Sequence, residues 1–289
     1  MGFSVKELTY NNKPILYSTR QEYAGPWISF TINEDHFKPI HVVLKNIEPT
    51  PIYKLINSRK GKTIDRITLD FNLYEYLKRN TKENKINSTI PIIEKDQFIR
   101  LYIDIFYEPN LPYINTYFTF KNYSKYNFYD FNIYFVFDFD INGLDGYDND
   151  LSDYDNSSDI IFQYDPTGLH AGFSLISKST HYETCLTHEF TINETKKKLS
   201  NSLINTPGEI LSALQIEFRT LQPSQSFQTA LTISGGNNKE ELIQNIIYGK
   251  KKAIKFLRQV NRNIKSKQRN TPEETLQKLN YLRAKDCRK

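Results

Sequence analysis

Cysteine, methionine, tryptophan and glycine are all scarce in this 289-residue chain, which holds two Cys, one Met, one Trp and 11 Gly. Cys185 lies in a strand-like run and Cys287 in the basic C-terminus, so no structural disulfide is expected and a cytoplasmic address fits best. No stretch reaches the roughly 18 apolar residues of a membrane helix. The opening MGFSVKELTY has no apolar run behind a basic cluster, so a soluble chain with no membrane partner is expected. Lys6 stands where a myristoylation signal needs Ser or Thr. There is no Gly-x-Ser-x-Gly elbow and no Gly-x-x-x-x-Gly-Lys loop, which argues against serine-hydrolase and nucleotide chemistry. Cys-x-x-Cys and His-Glu-x-x-His patterns are missing too, so no recurrent zinc site is expected.

What the chain does have is aromatic residues, 20 Tyr and 19 Phe, together with β-branched residues that suit a pleated, half-buried surface. Short apolar runs separated by Pro, Asn and Gly fill the first hundred residues. The segment Ile67, Leu69, Phe71, Leu73 alternates with polar residues and gives way to Lys78–Ser88, read as a loop. Ile99, Leu101, Ile103 and Ile105 form one face of a strand. Runs over 114–121 and 128–141 read as two strands joined by a short connection, the second apolar on both faces and therefore central. Strands continue over 159–164, 171–177 and 181–192, and a last pair, with Leu214, Ile216, Phe218 and then Phe227, Leu231, Ile233, flanks Leu221-Gln222-Pro223-Ser224. So many short strands imply an all-β, two-sheet antiparallel sandwich spanning residues 1–236.

The period changes at Asn238, where Leu242, Ile243, Ile246, Ile247, Ala253, Ile254, Leu257, Val260 and Ile264 mark a helical face with Gly249 as its weak point. Thr271-Pro272-Glu273-Glu274 opens a second helix carrying Leu276, Leu279 and Leu282, so residues 237–289 are a basic helical tail. From Gly249 onward there are fourteen Lys and Arg against three acids, whereas the preceding 248 residues carry 24 basic and 30 acidic groups. A basic tail on an acidic body favours docking on protein over general nucleic-acid binding.

Three stretches resemble the N-terminal supersandwich domain of prokaryotic glucoamylases, glucodextranases and related trehalases: Tyr117–Gly143 (YFTFKNYSKYNFYDFNIYFVFDFDING), Ile160–Leu175 (IIFQYDPTGLHAGFSL) and Ala213–Ile246. The last resembles that domain's final hairpin passing into a linker helix. The resemblance implies a galactose-mutarotase-like supersandwich. It also departs from the family, because the catalytic carboxylates there belong to a helical barrel of several hundred residues and this chain stops soon after the linker helix. The expected role is therefore a non-catalytic, carbohydrate-associated sandwich that binds glycan or completes a separately encoded helical-barrel glycoside hydrolase. The competing roles are a sugar epimerase and a basic-tailed nucleic-acid or scaffold protein.

An epimerase needs a carboxylate and a His in one cleft, and His170, His181, Glu183 and Glu189 are the nominal candidates, with Cys185 and His188 nearby. On a regular strand His181, Glu183 and Cys185 share a face. Asp138–Asp165 holds nine Asp and no Lys or Arg. Its opening, Asp138-x-Asp140-x-Asn142-Gly143 with Asp145 following, imitates the first half of a calcium loop, but Asn149 replaces the bidentate Glu at the twelfth position, so a solvated loop without cofactor is the preferred reading. Outward-facing tyrosines and Trp27 are the candidates for stacking on sugar rings. Asn-x-Ser/Thr triplets at Asn87, Asn122, Asn156 and Asn193 are put down to Asn-rich composition.

Overall fold

The computed structural model describes residues 7–17, 23–34, 37–45, 50–59, 62–82, 97–107, 110–143, 146 and 148–267. The strands are β1 (Glu7–Tyr10), β2 (Lys13–Tyr17), β3 (Ala24–Glu34), β4 (Phe37–Leu44), β5 (Thr50–Arg59), β6 (Lys62–Asn72), β7 (Phe98–Tyr107) and β8 (Tyr113–Asn122). They continue with β9 (Phe128–Asp138), β10 (Leu151–Asp155), β11 (Ile160–Tyr164), β12 (His170–Leu175), β13 (His181–Leu186), β14 (Ile210–Leu221) and β15 (Ser226–Gly236). Helix α1 is Leu73–Lys82 and helix α2 is Lys239–Lys267.

An eight-stranded sheet in the order β10-β11-β12-β15-β8-β7-β6-β5 faces a five-stranded sheet in the order β13-β14-β9-β3-β4, and β1 and β2 form a separate hairpin. Every pairing among the described strands is antiparallel. The alternation read in β7 holds: Ile99, Leu101 and Ile103 are buried in the core between the sheets. Phe118 of the large sheet meets Phe135 of the small one edge-on at 5.0 Å, and Phe137 meets Phe173 at 4.8 Å. β9 is the middle strand of the small sheet and is buried from Phe131 to Asp138 on both faces, as its two-sided apolar pattern implies.

Two expectations change. Residues 78–82, read as loop, belong to α1, because Asn72 accepts the Glu75 backbone N–H at 3.0 Å and caps a helix whose first residue, Leu73, is buried. The rest of that loop lies outside the described residues, as does the second tail helix. The final hairpin is not a hairpin: β14 belongs to the small sheet and β15 to the large one, so residues 222–225 cross between sheets. The connection from β8 to β9 crosses in the same way. Asn122 holds the two arches together. Its Nδ2 donates to the Tyr126 carbonyl (2.7 Å) and the Leu221 carbonyl (3.0 Å), and its Oδ1 accepts from the Ser124 N–H (2.8 Å) and hydroxyl (2.7 Å). Its backbone bonds Gln225 and Ser224 of the second arch.

Candidate functional site

The outer face of the large sheet is the surface that α2 covers. Asn238 accepts the Glu241 N–H at 2.8 Å and caps α2, while the Glu241 carboxylate reaches back to the Asn237 N–H at 2.8 Å, a reciprocal capping arrangement. From there Leu242 and Ile246 pack on Ile160 and Phe162, and Ala253 packs on Tyr117 and Ala230 with Phe256 and Leu257 alongside. Burying each large apolar side chain contributes ~1.5–3 kcal/mol, enough to hold the first half of the helix on the sheet. Gly249 sits at a close approach of the helix to the strands. A Cβ there would lie 2.5 Å from Thr232 Cγ2 and 2.9 Å from the Tyr113 ring, and Asn115 donates to the Gly249 carbonyl at 3.1 Å. The apparent weak point of the helix is thus a point of close contact with the sheet.

Lys250, one of the fourteen basic residues from Gly249 onward, turns inward. Its Nζ donates to the Ser158 carbonyl (3.0 Å) and the Ser174 hydroxyl (2.7 Å), and burial lowers its pKa, with Asp159 opposing. Lys251, Lys252, Lys255 and Arg258 are exposed. The helix runs on to Lys267, a full length of ~43 Å at ~1.5 Å per residue.

The four epimerase candidates do not converge. His170 lies on β12 in the large sheet, where its Nδ1 sits 2.7 Å from the Gly168 carbonyl and its ring stacks on Tyr164 at 5.1 Å; burial lowers its pKa. His181 lies on β13 at the edge of the small sheet, with Nε2 3.3 Å from Glu217 and Nδ1 3.0 Å from the Asn201 amide. Glu183 is buried beside it and accepts from Lys196 Nζ (2.7 Å) and the Ser200 N–H (2.9 Å). The strand read through Ile192 stops at Leu186, because the Thr187 N–H and hydroxyl both bond the Glu209 carbonyl and turn the chain into a 3-10 turn, Thr187–Glu189, on which Glu189 is exposed. Burial pushes the Cys185 thiol up to about 12, which leaves it an unreactive neighbour.

Among the calcium-loop residues, Asp138 and Asp140 are buried, the Asn142 amide donates to the Asp165 carboxylate, and Asp145 lies outside the described residues. No three His, Cys, Asp or Glu side chains among the described residues are grouped to hold a metal. The acid that sequence reasoning passed over is Asp150. It is 1% exposed, and its Oδ2 accepts the Ile141 N–H at 3.3 Å. Its Oδ1 has no hydrogen-bond partner among the described residues. Burial pushes its carboxyl up to about 9, the Ile141 bond working against the shift and Asp140, Asp165 and Asp138 adding to it.

Trp27 is a correction. It is 2% exposed, stacked on Tyr23 at 5.9 Å and edge-on to Phe190 at 5.3 Å beneath the segment that follows β13, so it offers no ring to a sugar. On the half of the large sheet's outer face beyond α2, the Tyr123 ring is already stacked on Phe98 (5.1 Å) and carries Lys121 Nζ at 4.4 Å. Arg100, beside it, forms a two-pronged bridge to Asp70 at 2.7 and 2.8 Å.

Antiparallel sheets of eight and five strands, crossed by short arches and covered on one face by α2, define a large two-sheet β-sandwich. A bacterial glucoamylase solved with acarbose matches with a TM-score of 0.53 at 10% identity, over 86% of this chain and 31% of that one. A galactose mutarotase-like protein from Clostridium acetobutylicum matches at 10% identity and a TM-score of 0.45, over 81% of this chain and 89% of that one. A galactose 1-epimerase from Lactobacillus acidophilus matches at 6% identity and a TM-score of 0.46, over 82% and 90%. This chain therefore spans 31% of the length of the glucoamylase it resembles. No family model matches the sequence. No curated protein matches it. No helix among the described residues is long and apolar enough to cross a membrane.

Proposed function

We propose that the chain is an accessory sandwich that completes a separately encoded helical-barrel glycoside hydrolase, with α2 and the residues after it as the connection to that partner. The observation that carries this reading is the glucoamylase match, in which nearly all of this chain corresponds to less than a third of an enzyme. The helix supports it physically: its first half is fixed to the large sheet through Leu242, Ile246 and Ala253, while it continues as a basic rod beyond Leu257. The epimerase reading loses support from the separation of His170 on one sheet from His181 and Glu183 on the other.

The test is reconstitution. A helical-barrel hydrolase encoded in the same genome and carrying no sandwich of its own is mixed with the full chain at micromolar concentration and run on a sizing column with light scattering. A one-to-one complex with raised thermal stability of the barrel is the expected result, since a partner that binds the native state must stabilise it. Separate elution with unchanged melting of both proteins overturns the proposal.

A further inference from the structure

The β1–β2 hairpin leans over one end of β8 and β15 and leaves a cleft of about 260 Å³. Its floor is apolar and aromatic, formed by Ile15, Tyr113 and Ile233, with Tyr10 as a side wall and Asn11 and Asn110 among the residues at its mouth. The hairpin is fastened in place. The Tyr10 hydroxyl donates to Glu241 at 2.7 Å and accepts from the Asn245 amide at 3.4 Å, and the Tyr10 ring lies so close to Gly235 that a Cβ there would sit 2.6 Å from it. The cleft is therefore held open by the same helix cap that begins α2.

We propose that this cleft binds one neutral sugar ring. Four features select that ligand. No Asp, Glu, Lys, Arg or His side chain among the described residues lines the cleft, so a phosphate or carboxylate there would lose its hydration without gaining a counter-charge from them. Asn11 and Asn110 are exposed, and neither amide is engaged by another protein group among the described residues. Each amide offers a donor pair and an acceptor, the complement of a hydroxyl that does both, and a purely apolar ligand would leave them unmatched. The Tyr and Ile surfaces suit the C–H face of a sugar ring. The volume lies just under the roughly 300–1,000 Å³ of pockets for drug-sized ligands, which limits the occupant to a single ring.

This inference does not depend on the barrel partner, and its readout is separate. Saturation-transfer NMR is recorded on the full chain with glucose and with galactose. Transfer to the ring protons of at least one sugar is expected, and it should weaken about fivefold or more in Asn11→Gly/Asn110→Gly, which removes two polar contacts. Both positions have positive φ, 49° and 71°, so glycine keeps the backbone and the melting temperature should hold. Leu111→Trp, which fills the cleft from its lining, should abolish transfer independently of the amides. Glucose 6-phosphate should not compete. Absence of transfer at about 100 mM of either sugar, far above a millimolar Kd, overturns the proposal, as does transfer that survives both variants. Equal competition by glucose 6-phosphate overturns the assignment of a neutral ligand.

Discussion

The Asn122 side-chain amide donates to the Leu221 carbonyl, 3.0 Å away across 99 residues of sequence, and so joins the arch after β8 to the arch after β14. Both arches carry the chain from one sheet to the other, and Asn122 is fully buried with every donor and acceptor of its amide used. Asn122→Ala should cost about 3 kcal/mol, because it orphans buried backbone groups on both arches. Asn122→Asp, similar in shape, should do comparable damage by replacing an N–H donor with an acceptor that faces two carbonyls. Urea unfolding of the two variants checks this, and a loss below about 1 kcal/mol for both would remove Asn122 from the account.

At Gly249 two effects of opposite sign compete. Alanine gains about 1 kcal/mol of helix propensity over glycine. Against this, the new methyl would lie 2.5 Å from Thr232 Cγ2 and 2.9 Å from Tyr113, and overpacking of this kind costs about 1–3 kcal/mol. Steric conflict should win, so Gly249→Ala should lower stability and loosen α2 from the sheet. Circular dichroism at 222 nm during urea unfolding reads the outcome. A stabilised variant would mean that the helix sits farther from β15.

Asp150 makes stability depend on pH in a defined direction. Its folded pKa, about 9, lies above the ordinary 3.8, so between these values the native state holds a proton that the unfolded chain releases. The contribution is complete below about pH 4 and is lost as pH rises toward 9. Asp150→Asn removes this slope and should melt higher than the parent at pH 8 by several degrees, at about 2–4 °C per kcal/mol for a domain of this size class. At pH 4 the two should nearly coincide. Melting curves across that range test it, and parallel curves would show that Asp150 is ionised in the fold.

The strands and α2 were legible in the sequence because period two and period 3.6 survive whatever the tertiary context: Ile99, Leu101 and Ile103 face the core, and Leu242 and Ile246 face the sheet. Pairing across turns was not legible. A short turn such as Gln222–Gln225 looks the same whether it closes a hairpin or crosses between sheets, and the deciding contact, Asn122 with Leu221, is remote in sequence. The cap on α1 was readable in retrospect, since Asn72 and Glu75 stand at N-cap spacing. Trp27 was misplaced, and Lys250 could not be told from the other basic residues of the tail, for one reason. Residue type gives the usual side, whereas their actual side is set by the approach at Gly249 and by the cover that Phe190 provides. Asp150 gave no signal at all, because it is one of nine Asp in a segment and its isolation is a matter of packing.

As proposed, α2 serves the sandwich with its first half and a helical-barrel partner with its second. Hydrogen exchange along α2, measured for the chain alone and with a sandwich-less barrel hydrolase from the same genome, separates the two halves. Amides over 242–257 should be protected in both states, since Leu242, Ile246 and Ala253 dock there. Amides over 258–267 should exchange rapidly in the free chain and at least about tenfold more slowly with the barrel present, about 1.4 kcal/mol of added protection. Exchange over 258–267 that is identical in the two states at saturating barrel would contradict the claim.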